Sequence, residues 1–397
     1  MQLLSREIES YLERSSWIRR MFEAGIELKQ KYGADKVYDF SLGNPDVPPP
    51  PAVAKAMTEL AGQIDTPLAL GYMPNAGYPE ARAKLAEKLS DEQHTELTAD
   101  HLVLTCGAAG GINALFRAVL EPGDEVVCPA PYFVEYGFYA ANSGGVLKAV
   151  KSRPLTFDLD LAALDAAIGP KTRAVIINSP NNPAGVVYNA GELVELGRIL
   201  ATHSHRNGRP IYLVSDEPYR FLAYDGVDVP PVLPVYTHTV VIGSFSKNLA
   251  LAGERIGYIA VNPAIEGLKT LMAGITMTNR ILGFVNAPAI GQRLMAAALG
   301  AEVDVNIYRE RRDAMAHALE QAGIEFSMPK GAFYFFPKAP GGTDDKAFVD
   351  RLMEEQILAV PGSGFGYPGY FRLTFCIDKS FIENAAPGFK RAADAVK

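Results

Sequence analysis

A lysine that does covalent chemistry must be unprotonated at working pH, and burial or nearby positive charge is what lowers its pKa. Lys247 stands in the stretch SFSKNLALAGERIGY (244–258), at the end of the apolar run TVVIGSFS (239–246), with Arg255 eight positions further on. A lysine that follows an apolar strand leaves a sheet at its carboxyl end, where α/β domains bind their ligands. Arg255 offers charge-assisted bonds to a phosphate, and the hydroxyls of Ser244 and Ser246 offer further donors. The combination suggests a ligand held twice, through an imine and through its phosphate. Taken alone, the stretch is also compatible with a lysine that caps a surface turn.

Other stretches supply matching chemistry. SDEPY (215–219) places Asp216 after a largely apolar run, where a carboxylate is costly unless it meets a cation. A protonated pyridine nitrogen is such a cation, and Tyr219 is close enough in sequence to reach a ring hydroxyl; a helix N-cap is the plainer use of Asp216. TCGAAGGINALF (105–116) reads as strand end, small-residue loop and helix start, so the backbone N–H groups of Ala108 and Ala109 can approach an anion. NSPNNPAG (178–185) is turn-rich and carries Asn182, a second candidate for the ring oxygen. In the alternating run YFRLTF (370–375), Arg372 presents a planar fork suited to a carboxylate. Pyridoxal 5′-phosphate fits this set.

The elements that must position these residues are legible as alternation. The apolar runs at 101–105, 124–129, 173–180, 210–219, 239–246 and 257–261 are separated by helix-like segments at 112–120, 159–168 and 190–202. That pattern predicts an α/β domain with a mostly parallel sheet covered on both faces. After about residue 285 a long helical stretch (287–322), the run GAFYFFP (331–337), a helix near 345–356 and a strand at 370–377 suggest a smaller α+β domain, joined by the N-terminal segment. The boundaries are 1–47 and 287–397 for the smaller domain and 48–286 for the larger.

With 397 residues, 38 Lys+Arg against 45 Asp+Glu and 48% hydrophobic residues, the chain has room for more than one core and no basic stripe for nucleic acid. Charged residues near the start and the lack of a long apolar run disfavour a signal peptide or a membrane span, so a cytoplasmic location is expected. Cys106, Cys128 and Cys376 are scattered and expected to be reduced. HSH (203–205) resembles a metal pair on paper, but no third ligand accompanies it, and a solvated helix end is expected. PGSGFG (361–366) is expected to be a mobile loop bordering the site, since no βαβ unit surrounds its glycines. Phe333, Tyr334, Phe335 and Phe336 are expected in a strand core, one or two of them facing the cleft.

The chain resembles the pyridoxal-phosphate-dependent aminotransferases of fold type I, class I/II, in the aspartate-aminotransferase-like superfamily. The resemblance rests on LGNPD (42–46), GYMPNAGYPEAR (71–82), TCGAAGGIN (105–113), PAPYFVEY (129–136), NSPNNPAG, SDEPY, SFSKNLALAGERIGY, GAFYFFP and YFRLTF, in family order over nearly the whole chain. It implies a seven-stranded, mostly parallel sheet in the large domain and an exchange of amino groups between amino acids and 2-oxo acids in two half-reactions. It makes Lys247 the Schiff-base lysine and proton shuttle, Asp216 the partner of the pyridinium, and Tyr219 and Asn182 the holders of the ring oxygen. Phe133 matches the ring stacked on the cofactor, and Ala108, Ala109, Ser244, Arg255 and Ser246 match the phosphate cup. Arg372, with Asn182 and Gly43, matches the binder of the substrate α-carboxylate. Tyr72 matches a tyrosine lent to the neighbouring subunit's phosphate, which implies a homodimer with shared sites. Arg280 lies near where some relatives place an arginine for a distal carboxylate in the neighbouring site, while Ala109 stands where others carry a lysine. A C–S β-lyase of the same superfamily is the alternative within enzymes, and a non-enzymatic ligand-binding regulator the alternative outside them.

Overall fold

Apolar runs without alternation must be buried on both faces, and here they build one sheet. The computed structural model describes residues 3–14 and 16–396. Its large sheet has seven strands: β1 (Leu102–Cys106), β2 (Glu125–Ala130), β3 (Val146–Lys151), β4 (Thr172–Asn178), β5 (Tyr212–Asp216), β6 (Thr239–Ser244) and β7 (Ile256–Val261). Across the sheet they run β1-β7-β6-β5-β4-β2-β3. Only β7 is antiparallel to its neighbours. The register sets Asn178 beside Asp216 and Asp216 beside Ile242, so the central parallel strands end together at one edge. β3 was not foreseen, because it is a solvent-facing edge strand whose residues are exposed or half-buried and so lack a continuous apolar run.

Successive side chains of a strand point to opposite faces, and the two faces have separate cores. On one side Val127, Val175, Leu213 and Val241 pack under Leu85 and Leu89 of helix Pro79–Gln93 and Leu193, Leu196 and Leu200 of helix Ala190–Asn207. On the other, Val126, Ala174, Val214 and Val240 pack under Ile112, Leu115 and Phe116 of helix Gly107–Val119 and Ile275 of helix Leu268–Ile281. The helix expected at 112–120 thus begins at Gly107, directly after β1.

A third core gathers Met21, Phe40 and Val47 with Tyr308, Phe335, Phe348, Phe371 and Phe389. The N-terminal segment is bound into it by parallel pairing of Tyr38 and Asp39 with Ile357 and Leu358, and by a bidentate ion pair of Arg311 with Asp46 at 2.6 and 3.0 Å. The long helix expected over 287–322 is two helices, Ala289–Ala298 and Val305–Ala322. Gly300 at φ 88° and Asp304, whose carboxylate accepts from the Asn306 N–H, end one and start the other. The first of them, Leu294, Met295 and Ala298 included, packs with Val53, Ala56 and Leu85 under the large sheet rather than in the C-terminal core.

Two loop expectations need correction. His203 is buried inside helix Ala190–Asn207, its Nε2 2.6 Å from Asp165 Oδ1, so only part of HSH meets solvent. PGSGFG is a packed turn, with Gly362 and Phe365 buried and the Ser363 N–H donating to Asp345 Oδ2 at 2.7 Å.

The sheet approaches helix Gly107–Val119 most closely at Gly257 of β7, where a Cβ would stand 2.5 Å from the Gly107 carbonyl carbon and 2.8 Å from the Ala108 nitrogen. Both neighbours are backbone and cannot swing aside. Gly257→Ala should therefore lower stability by about 1–3 kcal/mol through overpacking, read as a lower urea midpoint with an unchanged slope.

Candidate active site

Strands that stop at one sheet edge bring their next residues together. Asn178 and Asp216 close β4 and β5, Ser244 closes β6, and Phe133 and Ala108 follow the ends of β2 and β1. These side chains and backbone groups, with Gly43, Tyr334, Phe365 and Arg372 from the N- and C-terminal parts, line a cavity of about 370 Å³. That is a volume in the range of small-molecule sites. The same cavity holds Ala109, Asn182, Tyr219, Ser246, Lys247 and Arg255, so all but two of the residues singled out in the sequence converge on it.

Lys247 reaches across the cavity to donate to the Gly43 carbonyl at 2.9 Å, and its amine lies 5.3 Å from the centre of the Phe333 ring. Burial lowers its pKa to about 8, opposed by the neighbouring Cys376 and assisted to a lesser degree by the positive charges of Arg255 and Arg372. The amine is thereby brought close to the neutral form that covalent and proton-transfer chemistry require.

Asp216 is 5% exposed. Its Oδ2 accepts a hydrogen bond from the Tyr136 hydroxyl, while its Oδ1 is buried with no partner. Burial raises its pKa to about 7, opposed by the Tyr136 bond and assisted by the neighbouring Glu217. An unsatisfied, desolvated carboxylate oxygen at a cavity wall fits a cationic donor on a bound ring. Tyr219 is buried beside it, its hydroxyl 3.1 Å from that of Tyr334.

At the other wall Arg372 is buried, donating from Nη1 to Asn182 Oδ1 at 3.1 Å and from Nη2 to the Ser41 carbonyl at 2.5 Å. Its guanidinium lies 4.9 Å from the Tyr334 ring centre and 4.8 Å from that of Phe365, and its Nε is buried without a partner. No carboxylate meets it among the described residues, so its charge is free for an anionic ligand. The opposite end of the cavity is an anion cradle. Helix Gly107–Val119 opens with Ala108 and Ala109 in its first turn, Ser244 and Ser246 stand alongside, and Arg255 packs close to Gly107. Buried acceptor, buried fork and anion cradle are together the donor set that pyridoxal phosphate and an amino-acid carboxylate require.

Tyr72 and Arg280 are not brought into this cavity. Tyr72 is 94% exposed, and Arg280 is exposed at the end of helix Leu268–Ile281, bordering a separate depression with Asn75, Arg82 and Asp100. Of the four aromatics expected in a strand core with one or two facing the cleft, Tyr334 lines the cavity, as does Phe365 of the stretch expected to border it, whereas Tyr136, Asn178, whose amide holds the Asp216 carbonyl at 2.8 Å, Glu135 and Tyr139 went unassigned in the sequence. Tyr136 had a signal, since it stands one helical turn after Phe133.

The raised Asp216 pKa has a cost in the ligand-free protein. The folded state holds this proton more tightly than the unfolded chain, so the stability linked to Asp216 is present below about pH 4 and is lost as pH rises through about 7. Between pH 4 and 8 the stability of the wild type should therefore fall by ~4 kcal/mol relative to Asp216→Asn. Urea unfolding of both proteins across that range reads the difference, and a constant difference would show that Asp216 is not held protonated by burial.

Residues 35–388 match the family model for aminotransferase class I and II. The aspartate/prephenate aminotransferase of Thermus thermophilus is 33% identical over 371 residues, covering 92% of this chain and 93% of that protein. The aspartate aminotransferase of Thermotoga maritima is 33% identical over 370 residues, covering 92% of each. Among solved structures, an amino transferase from Eubacterium rectale superposes with a TM-score of 0.95 at 38% identity over 100% of both chains. The Thermus thermophilus aspartate aminotransferase with maleate gives 0.86 at 30% identity over 99% of this chain and 100% of that one. A match of this length, on a fold whose sheet edge gathers an amine, a lone carboxylate oxygen and an unpaired guanidinium, shows that the chain belongs to the class I and II aminotransferases, enzymes that depend on pyridoxal phosphate.

Proposed function

We propose that this aminotransferase works with Lys247 as its point of covalent attachment and its proton carrier, Asp216 as the partner of the cofactor's ring nitrogen, and Arg372 as the binder of the substrate α-carboxylate. One observation carries the proposal: a single cavity holds an amine with its pKa brought down to about 8, a buried carboxylate oxygen without a donor, and a buried guanidinium without a carboxylate. When bound, pyridoxal phosphate supplies an electron sink for the charge left at the substrate Cα. Ala108, Ala109, Ser244, Ser246 and Arg255 would hold its phosphate, Phe133 would cover its ring, and Tyr219 and Asn182 would hold its ring oxygen. Asp216 contributes preorganised negative charge that needs no rearrangement during the reaction. Lys247, with a proton affinity near the working pH, takes the proton from Cα and returns it at the neighbouring atom. Arg372 and Asn182, already bonded to each other, fix the substrate carboxylate so that Cα faces that amine.

The exposure of Tyr72 and Arg280 supports a homodimer in which each serves the neighbouring site. Ile64, Leu68 and Leu70 beside the one, and Met277, Ile281 and Leu282 beside the other, are exposed apolar side chains of the kind an interface covers. The division of the chain is proposed as a larger unit around the sheet and a smaller one built from the N-terminal segment and the C-terminal core, with the changeover after helix Ala289–Ala298. Three free cysteines support a cytoplasmic location, and among the described residues no helix is long and apolar enough to cross a membrane. The names of the Thermus and Thermotoga relatives make aspartate the first donor to offer, and the maleate held by the Thermus structure points to a dicarboxylic substrate class.

The pKa of Lys247 gives the first test. Covalent capture of Lys247 by pyridoxal phosphate added to ligand-free protein, followed by absorbance, should quicken about tenfold per pH unit below pH 8 and level off above it. Borohydride reduction and peptide mapping should then find the label on Lys247; a label on another lysine would overturn the assignment. The second test concerns the distal end of the substrate. If Arg280 meets a carboxylate in the neighbouring site, Arg280→Ala should cost aspartate or glutamate about 1.5–3 kcal/mol, which is tenfold or more in kcat/KM. Alanine, methionine and phenylalanine should be almost unaffected, and equal losses for both classes would remove Arg280 from the specificity pocket.

A further inference from the structure

Asp216 is held by a single side-chain donor. Among the described residues no lysine, arginine or histidine forms an ion pair with its carboxylate, and only the Tyr136 hydroxyl donates to it, at Oδ2. Tyr136 is 0% exposed, in the first turn of the helix Glu135–Ala141 that follows β2 across the sheet edge from β5. Its ring meets Phe133 edge to face, with centroids 5.6 Å apart and planes at 81°, so the same tyrosine braces the cavity wall and the carboxylate. The other groups that act on its hydroxyl are Cys128, a buried thiol within β2, and Tyr139 one turn on; neither supplies a positive charge. A hydroxyl with one strong acceptor in reach and no water access has its proton directed by that acceptor.

We propose that Tyr136 is a positioning residue, whose hydroxyl fixes the Asp216 carboxylate with Oδ1 turned into the cavity and keeps it ionised, so that a bound pyridine nitrogen rather than the carboxylate carries the shared proton. The inference rests on the assignment of Asp216 to the cofactor's ring nitrogen. Its physical content is a choice between two places for one proton. A neutral donor stabilises the ionised carboxylate relative to the protonated acid, and the direction of that effect at Asp216 agrees, since the Tyr136 bond opposes the upward pull of burial. Remove the hydroxyl, and Oδ2 becomes a second buried oxygen without a partner; the proton then moves toward the carboxylate, and the ring loses part of its positive charge. A tyrosine that served only as packing would leave the proton where it was.

The test places 15N at the ring nitrogen of pyridoxal phosphate and reads its resonance in the holoenzyme. Tyr136→Phe keeps the ring and removes only the donor; it should move the resonance toward that of a neutral pyridine and lower kcat on the order of tenfold with KM little changed. Asp216→Asn should move the resonance at least as far, and adding Tyr136→Phe to it should produce no further shift. Incorporating 3-fluorotyrosine at position 136 strengthens the donor without altering the packing, and should move the resonance the opposite way; this arm decides the question if Tyr136→Phe fails to fold. If Asp216→Asn moves the resonance while neither change at position 136 does, Tyr136 is packing alone and the inference is overturned. If Asp216→Asn leaves the resonance in place, the assignment of Asp216 itself fails and the inference falls with it.

Discussion

A carboxylate kept out of water at the end of a central strand sets the terms for everything around it. Asp216 gains nothing for the fold from its charge, since burial works against ionisation and one of its oxygens meets no donor. Such a group persists only where the surrounding structure leaves it no alternative. The register of β5 between β4 and β6 fixes its position, the Asn178 amide fixes its backbone carbonyl, and the Tyr136 hydroxyl fixes its side chain. The buried Glu217 next to it is held differently. It accepts from Gln93, Ser215 and Arg220 at 2.8, 2.7 and 3.2 Å, the full complement of donors that a structural carboxylate acquires. Two adjacent acids in one strand end thus separate by their partners, one satisfied by the protein and one left open to a ligand.

The positive side of the cavity is assembled by different means. Arg372 sits in a short antiparallel strand of the C-terminal part, and the segment that carries Ser41 and Gly43 passes directly beside it. The N–H of Thr374 donates to the Phe40 carbonyl at 2.9 Å, Arg372 donates to the Ser41 carbonyl, and Lys247 donates to that of Gly43. Gly43 allows this crossing because a Cβ there would fall 2.0 Å from the Tyr334 hydroxyl. One stretch of extended backbone therefore spaces the Lys247 amine from the Arg372 guanidinium, and pairing with Ile357 and Leu358 holds that stretch in place.

Most of the sheet and most of the cavity were legible in the sequence, for a physical reason. Strands buried on both faces leave continuous apolar runs, and a lysine, an aspartate or an arginine at the end of such a run violates the pattern that its neighbours establish. β3 escaped because an edge strand with Lys148 and Lys151 facing solvent carries no such run. The break at Gly300 escaped because apolar residues at helix-like spacing resume only a few residues later. Tyr136 escaped, and the particular contacts of Tyr334 and Phe365 stayed open, for the opposite reason to Lys247. They are aromatic residues among aromatic residues, and nothing in a one-dimensional pattern separates a ring that fills a core from one that bonds a buried carboxylate or covers a guanidinium. His203 misled in the same way, its polarity suggesting solvent although Asp165 satisfies it at the helix surface.

The bond between Arg372 and Ser41 joins residues 331 positions apart. All seven strands of the large sheet lie between them, so the sheet edge that carries Asp216 and Lys247 is complete in the emerging polypeptide well before the ribosome has made the arginine. Because synthesis runs from the N-terminus and units fold as they become available, the early chain carries Lys247 and Asp216 with no Arg372 wall opposite. The cavity is therefore closed late, when the C-terminal part meets a segment translated long before it.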